Sequence, residues 1–408
     1  MNLYNNAMKQ LESAASIMNL DKDILTILKT PERIITAWPA IKMDDGSLKI
    51  FQSYRVQYSS ICGPYKGGIR FYPKVNLEDI KALAFWMTIK TSLVDIPMGG
   101  GKGGIIVDSK TLSKKEIEKL SRAWTKSFVD VIGPKKDIPA PDLYTNSQIM
   151  AYIADEYSKL IGKKSIGVVT GKPVEKGGSK GRDTATATGG FYILQAVIKK
   201  LKLGNNLSVA IQGFGNAGSV IAKLLYDYKY KIIALSDSKT ALFDKNGINI
   251  DRALEYKKKN KTLNSFNNYK SIKKEKLLTL NTDILIPAAL ENQINKKNVN
   301  KIKAKIILEL ANGPITFDAD KVLNKKGLII IPDVLANAGG VVVSYFECLQ
   351  NLNNIYWTKK TVNCKLKEKM LSSWDLVWKI SKKYNINIRR AAFIGALEKI
   401  SYKIKDNY

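Results

Sequence analysis

Short apolar strands alternate with helices through the second half of this chain, and this alternation restricts the fold more than any other feature. The apolar runs that predict strands lie at 207–212, 231–236, 283–286, 305–309 and 328–331. Periodic segments that predict helices lie among them, beginning with 186–201 and 218–228. Strands that alternate with helices favour a parallel, doubly wound sheet, so we predict an α/β fold.

A glycine-rich turn follows the first of these strands. Its sequence is Gly213-Phe214-Gly215-Asn216-Ala217-Gly218, a G-x-G-x-x-G pattern between a predicted strand and a predicted helix. In that context the glycines allow a tight turn, and the N–H groups at the start of the helix bind a pyrophosphate. All six residues are therefore predicted to bind a dinucleotide cofactor in a Rossmann-like domain.

The choice of dinucleotide depends on Asp237, which follows the next strand 19 residues after Gly218. A carboxylate here accepts a hydrogen bond from the ribose 2′-hydroxyl of NAD and repels the 2′-phosphate of NADP. Ser236, Ser238 and Lys239 are able to bind a phosphate instead. The sequence therefore favours NAD and leaves NADP open.

Three later strands end in loops of small or amide residues. Ligands of open α/β sheets bind outside the carboxyl ends of the strands, so we expect these loops to flank the nicotinamide. The loop residues predicted to contact the cofactor are Ala288, Ala289, Asn312 and Asn337.

The first half of the chain contains three lysines in unusual settings and one rigidly held acid. Five glycines surround Lys102, which predicts a sharp turn that presents its ammonium at a fixed point. Lys66 lies in a second glycine-rich segment, and Lys90 lies on the apolar stripe of a predicted helix. Asp142 follows two prolines that hold the chain extended. We interpret these four residues as a candidate catalytic group.

The composition excludes several other classes of protein. A chain of 408 residues is long enough for two or three domains, and no apolar run is long enough to span a membrane. No secretory signal is recognisable, and three scattered cysteines make neither a disulfide framework nor a zinc site, so we expect a cytoplasmic protein. The absence of histidine excludes Ser–His and Cys–His triads and His-ligated metals, and no metal is predicted.

The formal net charge of +30 raises the possibility of nucleic-acid binding. However, only eight of the 66 basic residues are arginine, the side chain that reads phosphates and base edges best. The lysines are spread along the chain, as on a solvated surface. We therefore predict no nucleic-acid partner and no membrane partner.

Motifs spread over nearly the whole chain carry a resemblance to a known family. They occupy 54–57, 63–71, 87–90, 97–104, 139–142, 213–218 and 337–347. Together they resemble the Glu/Leu/Phe/Val amino-acid dehydrogenase superfamily, and within it the hexameric glutamate dehydrogenases. The resemblance implies a substrate-binding and oligomerisation domain at 1–183, an NAD(P)-binding domain at 184–345, and C-terminal helices at 346–408 that return to the first domain. It also implies a homohexamer.

The resemblance assigns a role to each residue that matches a family motif. It implies that Lys66 and Ser344 bind the side-chain carboxylate of glutamate and that Lys90 binds its α-carboxylate. Lys102 corresponds to the catalytic lysine and Asp142 to the acid that transfers protons. The remaining implied contacts are Met87 with substrate and Arg182 and Thr186 with the cofactor.

Elementary chemistry agrees with these roles. A dicarboxylate needs two separate cationic anchors, and a third lysine near them has a lowered pKa because like charges and burial disfavour its protonated form. Such a lysine takes a proton from water at neutral pH. The expected reaction is the reversible oxidation of glutamate to 2-oxoglutarate and ammonia, with closure of the two domains about 171–182 excluding water.

Two alternatives and two departures from the family pattern remain. A leucine- or valine-type dehydrogenase would carry apolar residues at the positions of Lys66 and Ser344, and a non-catalytic regulatory homologue would usually lose Lys102 or Asp142. Thr188 stands where the family often has arginine, and Leu310 stands where glycine is usual. Leu310 is expected either to crowd the cofactor or to shift the local packing.

Overall fold

Two units share this chain, and each contains its own β-sheet. The computed structural model describes residues 2–204, 206–266 and 269–406. The first unit comprises Met1–Arg182, Val341–Cys364 and Phe393–Tyr408, and the second comprises Asp183–Gly340 and Lys365–Ala392. Within the described residues, no helix is both long enough and apolar enough to cross a membrane.

A five-stranded sheet forms the centre of the first unit. The strands of this unit are β1 (Arg33–Ala37), β2 (Ala40–Lys42), β3 (Leu48–Ile50), β4 (Ser53–Ser59), β5 (Tyr65–Phe71), β6 (Gly100–Ile105) and β7 (Asp137–Pro141). Its first five helices are α1 (Leu3–Ile17), α2 (Lys22–Leu28), α3 (Leu77–Leu93), α4 (Lys114–Phe128) and α5 (Ser147–Leu160). The main sheet has the order β1-β4-β6-β5-β7, and β2 and β3 form a separate pair.

The glycine-rich segment around Lys102 is strand β6 in the middle of this sheet, so the predicted sharp turn is wrong. The glycines serve close packing instead. A Cβ added at Gly100 would lie 2.1 Å from Oγ1 and 2.4 Å from the backbone nitrogen of Thr88 in α3. A Cβ at Gly67 in β5 would lie 1.6 Å from the carbonyl oxygen of Gly101. Glycine is needed here because helix α3 and the two strands approach one another without room for side chains.

The second unit contains the predicted parallel sheet. Its strands are β8 (Ser208–Gln212), β9 (Lys231–Ser236), β10 (Ala241–Phe243), β11 (Lys270–Ile272), β12 (Ile284–Pro287), β13 (Ile306–Leu308) and β14 (Ile329–Ile331). Its helices before residue 340 are α6 (Ala185–Lys200), α7 (Asn216–Asp227), α8 (Ile250–Asn260), α9 (Lys274–Leu277), α10 (Phe317–Lys325) and α11 (Asp333–Ala336). The sheet order is β11-β10-β9-β8-β12-β13-β14, with β10 and β11 antiparallel at one edge. The α/β class and its Rossmann-like sheet are confirmed.

Burial explains why these segments take their forms. Strands β12 and β13 are buried at every residue, as expected of parallel strands covered on both faces. Helix α7 buries Gly218, Ile221, Ala222 and Leu225, which are spaced along one helical face. Their apolar patterns were therefore sufficient to predict them.

Three helices complete the chain: α12 (Gly339–Asn353), α13 (Lys359–Tyr384) and α14 (Ile388–Lys405). The resemblance implied that the whole of 346–408 belongs with the first domain. In the structure, Lys365–Ala392 groups with the second unit. The first segment of that unit ends at Gly340 rather than at residue 345. Helical periodicity indicates which face of a helix is buried, and carries no information about which unit buries it.

The close packing of α3 on β6 predicts a large effect of one added methyl group. We expect Gly100→Ala to destabilise the protein by about 2 kcal/mol or more, because the new Cβ overlaps the Thr88 backbone. The matched control is Gly204→Ala, since a Cβ at Gly204 meets nothing within 4 Å. Chemical denaturation of both variants measures the difference, and equal midpoints would contradict the packing argument.

Candidate active site

Lys102 and Asp142 form a buried ion pair in the first unit. Lys102 extends from β6, and its Nζ lies 3.0 Å from Oδ1 of Asp142, which directly follows β7. Arg70, at the end of β5, donates from Nε to the other carboxylate oxygen at 2.7 Å. Gly68 leaves the room that this pair needs, since a Cβ there would lie 2.7 Å from Cβ of Asp142. The acid is thus shared between two cations from neighbouring strands.

The pKa values of this pair are shifted by burial and by charge. Burial lowers the pKa of Lys102 to about 8, with Arg70 and Lys90 acting in the same direction and Asp142 acting against them. Burial alone would raise the pKa of Asp142, but Lys102 and Arg70 hold it well below its usual range. Near neutral pH the pair therefore contains an ionised carboxylate, which can accept a proton, and an ammonium that loses its proton readily, as acid–base catalysis requires.

Lys66 lies on the same face of the sheet as Lys102. Ile69 of β5 pairs with Gly103 of β6, and side chains alternate along each strand, so Lys66 and Lys102 share the opposite face. The Lys66 ammonium is fully buried and donates to the carbonyl of Ile138 at 3.0 Å. It therefore lies beside β7, the strand that leads to Asp142.

The three hydrogen-bond acceptors of the Lys66 ammonium within the described residues are uncharged. Besides the Ile138 carbonyl, it donates to Oγ1 of Thr170 at 2.7 Å and to the carbonyl of Pro139 at 3.5 Å. Burial lowers its pKa to about 7; Arg182 and Arg55 add to this effect, while Glu347 opposes it. A bound carboxylate would offset this cost and keep the ammonium protonated.

Lys90 and Met87 extend from α3. Lys90 is buried, and its charge lowers the pKa of Lys102, so the two ammonium groups are close enough to repel. Nearly all of α3 is buried, so a lysine on its apolar stripe is enclosed by protein rather than directed to solvent. Met87 lies over β5, with its Cγ 3.4 Å from the position of a Cβ at Gly67.

Ser344 and Arg182 contact one another in the first unit. Arg182 donates from Nε to Oγ of Ser344 at 2.8 Å, and Ser344 is buried in α12. The charge of Arg182 also acts on Lys66. The structure therefore places Arg182 with the substrate-side residues of the first unit, although the resemblance assigned it to the cofactor; both assignments stay predictions.

The G-x-G-x-x-G turn has the geometry that a pyrophosphate requires. Gly213 has a φ of +94°, and a Cβ at Gly218 would lie 1.8 Å from the carbonyl oxygen of Gly213. Gly215 precedes α7 without a side-chain cap and has open space where a Cβ would stand. Phe214 is buried, Ala217 half-buried, and Asn216 exposed with its amide donating to the carbonyl of Asp183. The uncapped N–H groups and the open space fit a dinucleotide phosphate.

Asp237 differs from the prediction in its surroundings. Its carboxylate accepts backbone N–H bonds from Lys239 at 2.8 Å, Thr240 at 3.0 Å and Leu263 at 2.7 Å, and a hydroxyl bond from Thr262 at 3.1 Å. Its side chain is only 4% exposed. Burial raises its pKa, but the backbone donors outweigh this and lower the pKa below its usual value. The carboxylate therefore holds the loop after β9 to the segment after α8, and ribose binding would have to disturb these hydrogen bonds.

In the second unit Ala288, Ala289 and Asn312 follow β12 and β13, whereas Asn337 follows α11 rather than β14 directly; their contacts with a cofactor stay predictions. The amide of Asn337 donates to Oδ1 of Asn312 at 3.1 Å. Ala288 and Ala289 follow β12, and the Ala288 carbonyl would lie 2.7 Å from a Cβ at Gly213. Thr186 is half-buried in the first turn of α6.

Neither departure from the family pattern protrudes into open space. Leu310 is buried against α6, where its Cδ2 would lie 2.6 Å from a Cβ at Gly190. Leu310 therefore shifts the packing rather than crowding a ligand. Thr188 is also buried in α6.

Sequence reasoning missed a buried ion cluster around Arg389 in the second unit. This guanidinium donates to both carboxylate oxygens of Glu309, at 2.6 and 2.9 Å, and to Asp320 at 2.8 Å. Asp333 in turn accepts the backbone N–H of Gly313, beside Asn312. Burial raises the pKa of Glu309 to about 7. The cluster links α14, β13 and the loops near Asn312; the only sequence signal was an arginine inside an apolar helix.

The second unit has the parallel sheet and glycine-rich turn typical of a dinucleotide-binding domain, and the first unit has a lysine–aspartate pair suited to acid–base catalysis, features that fit an NAD(P)-dependent dehydrogenase. Comparison with known families specifies the class further. The profile of the Glutamate/Leucine/Phenylalanine/Valine dehydrogenase family matches residues 177–407, and that of the Glu/Leu/Phe/Val dehydrogenase dimerisation domain matches residues 31–159. The chain belongs to the Glu/Leu/Phe/Val dehydrogenase family.

Individual relatives are similar over nearly the full length. The NADP-specific glutamate dehydrogenase of Synechocystis sp. is 46% identical, with 98% of this chain and 96% of that protein covered. The catabolic NAD-specific glutamate dehydrogenase RocG of Bacillus subtilis is 44% identical, with 98% and 94% covered. The crystal structure of the hetero-hexameric glutamate dehydrogenase of Thermus thermophilus in its Leu-bound form has a TM-score of 0.96 at 32% identity, covering 100% of this chain and 97% of that one.

The ion pair predicts how the pKa of Lys102 responds to loss of its partner. We expect Asp142→Asn to lower the pKa of Lys102 below about 8, since Asp142 is the charge that opposes the effect of burial. NMR titration of lysine side-chain carbons measures this pKa, with Lys102→Arg identifying the signal. Asp108→Asn is the control for loss of an exposed acid, and a higher Lys102 pKa in Asp142→Asn would contradict the pairing.

Proposed function

We propose that this chain catalyses the reversible oxidative deamination of L-glutamate to 2-oxoglutarate and ammonia, using NAD or NADP. The observation that carries the proposal is the buried Lys66 ammonium, with Arg182 and Ser344 nearby, in the unit that holds the Lys102–Asp142 pair. An apolar side chain would leave Lys66 as an uncompensated buried charge, at a cost of several kcal/mol. The curated relatives described above are glutamate dehydrogenases as well.

The first unit supplies separate anchors for the two carboxylates of glutamate. Lys66, with Ser344, binds the side-chain carboxylate, and Lys90 binds the α-carboxylate beside Lys102. Met87 lies between them on α3 and borders the substrate chain. Two cations that are fixed in place recognise the distance between two anions, which selects glutamate over shorter or apolar amino acids.

Lys102 and Asp142 move the protons. A neutral Lys102 takes a proton from the attacking water when the imino acid is hydrolysed, and its ammonium form stabilises charge on the substrate oxygen. Asp142, held ionised by Arg70 and Lys102, passes a proton to and from the substrate nitrogen. When bound at the Gly213–Gly218 turn, NAD(P) would supply the acceptor for the hydride that leaves the substrate Cα. A regulatory homologue that catalyses no reaction would not need an intact Lys102–Asp142 pair.

Asp237 does not supply a strong preference for NAD in this arrangement. Its carboxylate already accepts four hydrogen bonds, two from its own loop and two from the segment after α8, and Lys257 lies 3.7 Å away. Lys239 is exposed in the same loop, and Lys274 donates to the carbonyl of Ser238. These ammonium groups favour a 2′-phosphate, so we propose that the chain accepts both cofactors.

An assay of reduced nicotinamide absorbance tests the activity. With glutamate we expect turnover with NAD and with NADP, at kcat/KM values within about tenfold of each other, and at least about 10²-fold less turnover with leucine. Lys66→Leu should reverse the order of glutamate and leucine, since it removes the anchor of the second carboxylate. Lys22→Leu, at an exposed residue of α2, is the control.

Two results would count against this function. Absence of glutamate turnover with either cofactor would exclude the activity itself. A Lys66→Leu variant that still prefers glutamate would show that the side-chain carboxylate binds elsewhere.

We propose further that the chain forms a homohexamer and acts in the cytoplasm. Strand β1 is the edge of its sheet and leaves Ile34 44% and the adjoining Trp38 61% exposed. The β2–β3 pair leaves Leu48 71% and Ile50 60% exposed. An apolar sheet edge of this kind favours pairing with another chain, and the region lies within the matched dimerisation domain. The three cysteines are unpaired, in keeping with a reducing compartment.

Light scattering tests the assembly. The unaltered chain should have six times the chain mass of 45.5 kDa. Trp38→Ser combined with Leu48→Ser should yield smaller species, because the polar side chains remove the apolar contact. Tyr402→Ser, at a residue 70% exposed on α14, should leave the mass unchanged. A double variant that remains hexameric would exclude this surface as an interface.

A further inference from the structure

One face of helix α12 is hydrogen-bonded to residues 171–182, the glycine-rich segment that precedes the second unit. The α12 side chains that bind this segment are Ser344, Glu347, Gln350 and Asn351. Their spacing of three, six and seven residues places them on one side of the helix. Gln350 donates to Oγ of Ser179 at 2.9 Å, and Asn351 donates to the carbonyl of Gly177 at 2.7 Å. The glycine-rich segment is therefore held at several points within the first unit.

The strongest of these attachments is a fully buried ion pair between Lys172 and Glu347. Nζ of Lys172 lies 2.7 Å from Oε1 of Glu347, and the two side chains are 1% and 0% exposed. Lys172 also donates to the carbonyl of Val169 at 2.6 Å, and Oε2 of Glu347 accepts the backbone N–H of Gly171 at 2.9 Å. The pair thus fixes the backbone on both sides of Thr170.

Thr170 transmits this constraint to Lys66. Its backbone N–H donates to the carbonyl of Pro139 at 3.0 Å, and its Oγ1 accepts from the Lys66 ammonium at 2.7 Å. Lys66 also donates to the carbonyls of Ile138 at 3.0 Å and of Pro139 itself at 3.5 Å. The position of the ammonium therefore depends on a loop that the Lys172–Glu347 pair holds against α12, the helix that carries Ser344.

We propose that Lys172 and Glu347 are positioning residues, which hold Thr170 and Lys66 at the distance from Ser344 that the second carboxylate of the substrate requires. This inference rests on the proposed glutamate activity and deepens it, because it names the groups that make the side-chain pocket specific. Neither residue has to touch substrate. Their effect on the substrate is transmitted through Thr170 and Lys66, and through helix α12, which carries both Glu347 and Ser344.

Energetics favour this role over simple stabilisation. Removing two charges from water costs about as much as their attraction returns, so a buried ion pair is a poor source of stability. Two apolar side chains would hold the loop equally well. Apolar side chains would not form the directional hydrogen bonds that Lys172 and Glu347 make with each other, with Val169 and with Gly171. They would also place no carboxylate near Lys66, where the charge of Glu347 favours the protonated amine.

The test compares glutamate with norvaline, an amino acid of the same chain length without the second carboxylate. The variant is Lys172→Met combined with Glu347→Gln, which removes both charges and leaves no unpaired ion. We expect kcat/KM for glutamate to fall about 10²-fold, mainly through KM, as for a misplaced binding group. Turnover of norvaline should change less than about threefold, because norvaline has no second carboxylate for Lys66 and Ser344 to bind.

Two further variants separate positioning from folding. Thr170→Val removes the hydroxyl alone, leaves the ion pair intact, and should reduce the ratio of glutamate to norvaline activity in the same direction. Asp320→Asn removes one buried partner of Arg389 in the second unit, and should lower the melting temperature without changing that ratio.

Each outcome decides the question. Equal losses for glutamate and norvaline in the double variant, or an unchanged ratio in Thr170→Val, would overturn the positioning role. The unaltered enzyme is measured alongside, and if it fails to oxidise glutamate, the proposed function is wrong irrespective of the variants. If the double variant does not fold, the Thr170→Val ratio alone decides.

Discussion

The structure of the first unit depends on the cost of burying ammonium groups. Lys66 and Lys102 are almost completely removed from water, and each such charge is unfavourable unless the protein supplies oxygen atoms close to it. Lys102 has Asp142, which it shares with Arg70. Lys66 has the carbonyls of Ile138 and Pro139 and the hydroxyl of Thr170, all of them uncharged. This difference leaves Lys66, among the described residues, without a directly bonded carboxylate, which in the proposed function the substrate supplies.

The close approach of backbone elements follows from the same requirement. Lys102 in a central strand reaches the end of β7 because Gly68 of the intervening strand β5 leaves room for Asp142, and Gly100 on the same face of β6 lets helix α3 pack closely. In the second unit, the ion cluster around Arg389 has a related effect. The carboxylates that accept from this guanidinium come from different elements, which are thereby held next to the start of helix α14. In both units, buried charges decide where loops lie, while apolar side chains fill the core.

Much of the fold could be predicted from patterns that act over a few residues. The strands of the parallel sheet are apolar runs, and α7 has an apolar face, so β8, β9 and α7 lie close to the predicted ranges. Strand β6 could not be predicted, because five glycines in six neighbouring positions have no strand preference and are extended only through pairing with β4 and β5. The location of Lys365–Ala392 was equally inaccessible, since it depends on contacts far apart in sequence.

The candidate site divides in the same way. The sequence by itself determined the chemical groups, three lysines and one acid, together with the nucleotide turn and the family, because residue identity and local spacing are written in the chain. Tertiary structure alone decided how those groups are used. It enclosed Lys66, occupied the carboxylate of Asp237 with donors that include Leu263, 26 residues further along the chain, and paired Lys172 with Glu347 across 175 residues. The physical reason is that burial and hydrogen-bond partners belong to the folded surroundings of a group and set its charge and its availability.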